Sequence, residues 1–122
     1  MTQITQKYDL EERTAVFGEN IIILCKEISP NSVTRPLINQ VARSATSIGA
    51  NYVEANGASS KKDFRNKIFI CKKESQETRY WLRMLITAVP VHTEKLRLLL
   101  QEYHEFVLIF QKIGASLNNS KL

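Results

Sequence analysis

The chain has 122 residues, 43% of them hydrophobic and 24% charged, and 17 Lys and Arg against 12 Asp and Glu leave a formal net charge of +5. That is enough apolar chain for one core, which excludes an intrinsically disordered tail and a disulfide-stapled miniature. Cys25 and Cys71 are too few for a disulfide framework or a zinc site, and no apolar run has the length of a membrane span or the form of a secretory signal, so a soluble protein of the reducing cytoplasm is expected.

Four helices are predicted, over about 9–28, 35–56, 60–88 and 93–114, with a frayed tail over 115–122. Asp9 and Glu12 have capping-box spacing, and Leu10, Thr14, Phe17, Ile21, Leu24 and Ile28 then follow one helical face. Ser29-Pro30-Asn31 ends this first helix. Thr34 is the expected cap of the second, with Pro36 in its first turn, and Leu37, Val41, Ala45, Ile48, Tyr52 and Ala55 form its apolar face. Asn56-Gly57 is a stop signal. Ser60 and Asp63 repeat the capping-box spacing ahead of the third helix, whose core face is Phe64, Ile68, Cys71, Ser75, Leu82, Leu85 and Val89. After Pro90 the fourth helix starts near Thr93 and carries Leu96, Leu99, Leu100, Tyr103, Phe106, Val107, Phe110 and Ile113. Short connections make consecutive helices antiparallel neighbours, which gives an all-α, antiparallel up-down-up-down four-helix bundle as a single domain over 1–122. Ile22, Ile23, Phe69, Ile70, Leu98, Leu108 and Ile109 fall off these seams and suggest a subunit interface, hence a homo-oligomer.

Charge is unevenly spread. Residues 1–30 hold three basic and five acidic side chains, whereas 61–90 hold eight basic and three acidic. At 100° per residue the third helix divides into three faces. One is the core. A second holds Asp63, Lys67, Ile70, Glu74 and Trp81, with Glu77 at its edge. The third holds Lys62, Arg65, Lys72, Lys73 and Arg83, interleaved with Phe69, Gln76 and Tyr80 and preceded by Lys61. Such a cationic face neutralises phosphates, and its aromatics can stack on unpaired bases, so Lys61, Lys62, Arg65, Lys72, Lys73 and Arg83 are the candidate nucleic-acid-binding residues, for RNA or DNA. Helix 2 carries a polar stripe of Gln40, Arg43, Ser44, Ser47, Asn51 and Glu54. Set against the mixed face of helix 3, it predicts a structural ion network of Arg43, Glu54, Lys67, Glu74 and Glu77 that fixes helix register.

Other chemistry finds no support. A bundle di-metal centre needs Glu-x-x-His on two helices, but the only histidines are His92, at a helix start, and His104, which has Gln101 in the glutamate's place. No metal is expected. The cysteines lie on or beside apolar faces, where thiols are inert. Gly49 and Gly57 are isolated and form no phosphate loop, so no cofactor is expected. An enzyme built on Glu54, Glu74 and Glu77 would have only their placement in its favour. The expectation is a protein that is not an enzyme.

The run from Gln40 through Arg43, Ser47, Ile48, Gly49, Asn51 and Glu54 to Ala55 resembles the signature of the 23S rRNA intervening-sequence protein family, also called the four helix bundle protein family. The resemblance continues through Ser60-Lys61-Lys62-Asp63-Phe64, Lys67-Ile68 and the stretch from Lys73 to Leu82, whereas helices 1 and 4 are similar only in length and pattern. It implies a ring-like homopentamer without catalytic activity. It also implies kinship with the accessory variability determinant of diversity-generating retroelements, a basic pentamer that binds nucleic acid and its reverse transcriptase. Two readings of function follow. One is a nucleic-acid-binding oligomer using the basic face of helix 3. The other is a scaffold docking an acidic protein partner, such as a reverse transcriptase or a ribosome-associated protein.

Overall fold

The computed structural model describes residues 9–119. Four α-helices run in chain order: α1 Leu10–Glu27, α2 Thr34–Asn56, α3 Lys61–Ala88 and α4 Thr93–Asn119, with a short 3-10 turn, Pro90–His92, before the last. α2 packs on α1 and α3, α4 packs on α3, and a sparser contact between α1 and α4 closes the ring. This is an all-α up-down bundle, as the hydrophobic periodicity predicts. No helix among the described residues is long and apolar enough to cross a membrane.

The core is the sum of the predicted seams. Phe17, Ile21, Val41, Ala45, Ile48, Tyr52, Phe64, Cys71, Leu82, Leu96, Phe106 and Phe110 are all buried in one cluster. Phe17 meets Phe106 edge to face at 5.3 Å between ring centroids, and Tyr52 and Phe110 lie 6.2 Å apart. Two polar residues join the core unannounced. Ser44, placed by sequence on the polar stripe of α2, is fully buried, and so is Thr78 of α3. Their hydroxyls hydrogen-bond each other at 2.8 Å across the helix pair, which satisfies groups that would otherwise be costly to desolvate.

The helix starts depart from expectation in two places. Asp9 takes a left-handed conformation (φ 49°, ψ 50°) and its side chain makes no cap hydrogen bond. A capping side chain needs an extended backbone to reach the first-turn amides, so the Asp9–Glu12 box does not form. Thr34 is not the cap of α2. Asn31 takes that role: its Oδ1 accepts from the backbone N–H of Val33 and of Thr34, both at 2.8 Å. Thr34 Oγ1 instead accepts from the Asn31 N–H at 2.9 Å and donates to the Ser29 carbonyl at 2.8 Å, tying the α1–α2 connection to the helix it opens. At α3 the expected cap is present, with Ser60 Oγ accepting from the Asp63 N–H at 3.0 Å.

The expected end of the fourth helix at Gly114 is also corrected. α4 continues to Asn119 and buries Leu117. One glycine in a helix costs only about 1 kcal/mol, and Leu117, one helical turn beyond Ile113, extends the apolar face that offsets it. Ile109 is buried and Ile70 half-buried, so neither belongs to the exposed apolar set. Ile109 lies between Phe106 and Ile113 at helical spacing, and α4 touches both α3 and α1, which widens its buried arc. Ile22, Ile23, Phe69, Leu98 and Leu108 are exposed.

Candidate nucleic-acid interface

α3 spans Lys61–Ala88, and its register against α2 and α4 sorts its charges. The acidic side faces α2. Arg43 of α2 donates to Glu74 at 3.4 Å and forms an ion pair with Glu77, while its Nε is 3.2 Å from Gln40. The Trp81 indole N–H donates to the same Glu77 carboxylate at 3.1 Å. That indole bond, and after it the Arg43 guanidinium, hold the Glu77 carboxyl below its ordinary value. Nearer the α2–α3 turn, Lys67 Nζ pairs with Glu54 at 2.8 Å, which raises the lysine's pKa.

The five residues predicted as one network are therefore two separate clusters. Arg43 and Glu54 stand eleven residues apart on α2, about 16 Å along a helix axis, beyond the reach of a shared partner. Neither cluster is deeply buried: the Arg43 and Glu54 side chains keep 46% and 58% of their exposure. Such pairs set register more than they add stability. The three carboxylates that an enzyme reading would use are thus each engaged by a cation. Among the described residues no group of three or more His, Cys, Asp and Glu side chains stands together in a way that could hold a metal ion.

The opposite arc of α3 carries the predicted basic residues. Lys61, Lys62, Lys73 and Arg83 are exposed, and Arg65 and Lys72 are half-buried. Lys62, Arg65, Lys72, Lys73 and Arg83 take part in none of the ion pairs among the described residues. Phe69 and Tyr80 are exposed among them, at 65% and 52%. Sequence reasoning left out Arg79, which is exposed on the same arc. Its spacing of seven from Lys72 was the available signal. Glu74 and Glu77 of α3 face α2 and are paired with Arg43, whereas Lys62, Arg65, Lys72, Lys73 and Arg83 lie on the opposite arc.

A third group of charges was not foreseen. Arg13 of α1 forks onto Glu102 of α4 through Nε and Nη2, at 3.2 and 3.0 Å, and reaches Glu105 at 2.7 Å. Its guanidinium carbon lies 5.5 Å from the centroid of the Phe106 ring. The Glu102 hydrogen bonds are the main cause of its raised pKa. Lys95 and Glu27 add a second α1–α4 bridge at 2.8 Å. The two thiols are unsuited to nucleophilic work: burial pushes Cys71 up to about 12 and Cys25 up to about 11, and Cys71 Sγ lies 3.5 Å from the Ile48 carbonyl.

Comparison with known proteins bears on most of the chain. The family model described as 23S rRNA-intervening sequence protein matches residues 6–112. No curated protein matches. Among solved structures, the chain is similar to a protein of unknown function from the S23 ribosomal protein family of Bacteroides thetaiotaomicron. The two are 32% identical with a TM-score of 0.74, and the match covers 85% of this chain and 96% of that one.

Proposed function

This chain belongs to the 23S rRNA-intervening sequence protein family, and from that premise we propose that it is a non-catalytic, oligomeric binding protein that engages nucleic acid through the basic arc of α3. One observation carries the reading. The carboxylates of α3 that would neutralise this surface, Glu74 and Glu77, are drawn to the other side of the helix by Arg43. Lys62, Arg65, Lys72, Lys73 and Arg83 are then in no ion pair among the described residues, and together they make a positive field for phosphates. The exposed apolar residues Ile22, Ile23, Leu98 and Leu108 support self-association. The finer reading is a homopentamer related to the accessory variability determinant of diversity-generating retroelements. Five copies of one weakly binding surface would reinforce each other through effective concentration.

The test is a salt series on the full chain with structured RNA and with duplex DNA. Affinity is expected to fall log-linearly with salt. Changing Lys62 and Lys73 together to Ala should reduce the slope by about 2, roughly one unit per lost phosphate contact. No salt-dependent binding at low ionic strength would overturn the proposal. The second reading keeps the same charged surface but gives it an acidic protein partner, such as a reverse transcriptase or a ribosome-associated protein. It predicts partner capture that survives nuclease treatment.

A further inference from the structure

A cleft of about 480 Å³ opens where the first half of α3 meets the last turns of α4. That is within the size range of small-molecule sites, about 300–1,000 Å³. Arg65, Asn66, Phe69 and Lys72 line it from α3, and Gln111 and Gly114 from α4. Three details mark it as more than a groove between helices. Arg65 Nε is buried, and no hydrogen-bond partner reaches it among the described residues, although a buried polar atom is ordinarily paired. The Gly114 backbone leaves open space where a Cβ would stand. Phe69 lies between the two cations at i+4 from Arg65 and i−3 from Lys72, so the three share one helical stripe with the charges about 10 Å apart along the axis.

We propose that this cleft receives one unpaired nucleotide of a single strand, its base stacked on Phe69 and its flanking phosphates held by Arg65 and Lys72. An exposed ring is sequence-tolerant because every base has a π face. The guanidinium offers a phosphate charge-assisted hydrogen bonds, and Nε is one of its donors. The Asn66 and Gln111 amides line the same cleft and offer donors and acceptors to a base edge. A base inside a duplex cannot enter such a cleft without leaving its stack. The inference rests on the reading of α3 as a nucleic-acid surface and adds a preference for single strands over duplex.

The experiment measures binding of a mixed-sequence single-stranded oligonucleotide and of the same-length duplex to wild type, Phe69→Ala, Phe69→Tyr and Gly114→Leu. Phe69→Ala should weaken single-strand binding about tenfold, the loss of one stacked base, and leave duplex binding within about twofold. Phe69→Tyr should retain the single-strand affinity. Gly114→Leu, which fills the cleft without touching charge or ring, should reproduce the loss. Phe69 is 65% exposed, so its replacement spares the core, and an unchanged thermal melt verifies this. Single-strand binding that survives both Phe69→Ala and Gly114→Leu would overturn this inference alone. A chain that binds neither probe would overturn it together with the proposed function.

Discussion

Two seams of the bundle solve the same packing problem in opposite ways. The buried residues of α2 and α3 include a set of small ones: Ser44, Ala45, Cys71, Ser75 and Thr78 are all less than 1% exposed. Small side chains let two helices approach closely, and the Ser44–Thr78 hydroxyl pair fixes their register from inside while Arg43 and Lys67 bridge them outside. Between α1 and α4 the backbones meet only sparsely. There, long side chains span the distance: Phe17 against Phe106, Arg13 onto Glu102 and Glu105, Lys95 onto Glu27. The first seam depends on residues that cannot grow, and the second on residues that cannot shrink.

The contrast can be broken from either side. The largest expected effect is Phe106→Ala, which removes the ring that Phe17 and Arg13 both use. A destabilisation of about 3–5 kcal/mol is expected for such a core truncation, read as a lower denaturant midpoint. A loss below 1 kcal/mol would mean that this seam does not hold the bundle closed. Next comes Ala45→Leu, an insertion into the tight seam, with about 1–3 kcal/mol expected from overpacking. If it proved neutral, the α2–α3 contact would be looser than its small residues imply.

The smallest effect is a change of slope with pH at Cys71. In the folded chain its thiol keeps its proton up to about 12, against an ordinary value of 9.0. Above about pH 9 the unfolded chain therefore binds fewer protons than the folded one, and stability falls as pH rises toward 12. Below pH 9 the thiol contributes no slope. Cys71→Ala should shift stability by a constant at neutral pH and flatten the alkaline decline, leaving the part due to Cys25. A decline of unchanged steepness in denaturant unfolding at pH 8 to 11 would contradict this origin.

The sequence reveals the tight seam better than the open one, for a physical reason. Helix periodicity locates Val41, Ala45, Ile48, Cys71 and Ser75 because each repeats within its own helix. The family resemblance falls on the same stretch, where Ser44, Ser75 and Thr78 have little steric freedom. Arg13 and Glu102 lie 89 positions apart, and no local pattern announces that pairing. The division of α3 into acidic and basic sides was legible from 100° spacing, but the split of its network into two clusters required the distances along α2. Asp9 makes no cap and Asn31 caps α2 in place of Thr34, because capping depends on backbone angles, and a residue type alone does not fix those. The candidate site was legible as a list of cations on α3. The cleft was not, since a third of its lining, Gln111, Gly114 and Ala115, belongs to the turns of α4 beyond Phe110, where Gly114 reads as a stop.

The difference in side-chain size has a counterpart in time. Three of the four seams join consecutive helices, and α2 and α3 are separated only by residues 57–60, so bringing them together costs little loop-closure entropy. The α1–α4 seam alone unites the two ends of the chain and pays for the longest loop, so it is expected to close last and, on unfolding, to open first. The α2–α3 hairpin would then be the template on which α1 and α4 dock, and its basic arc would be assembled before the bundle is complete.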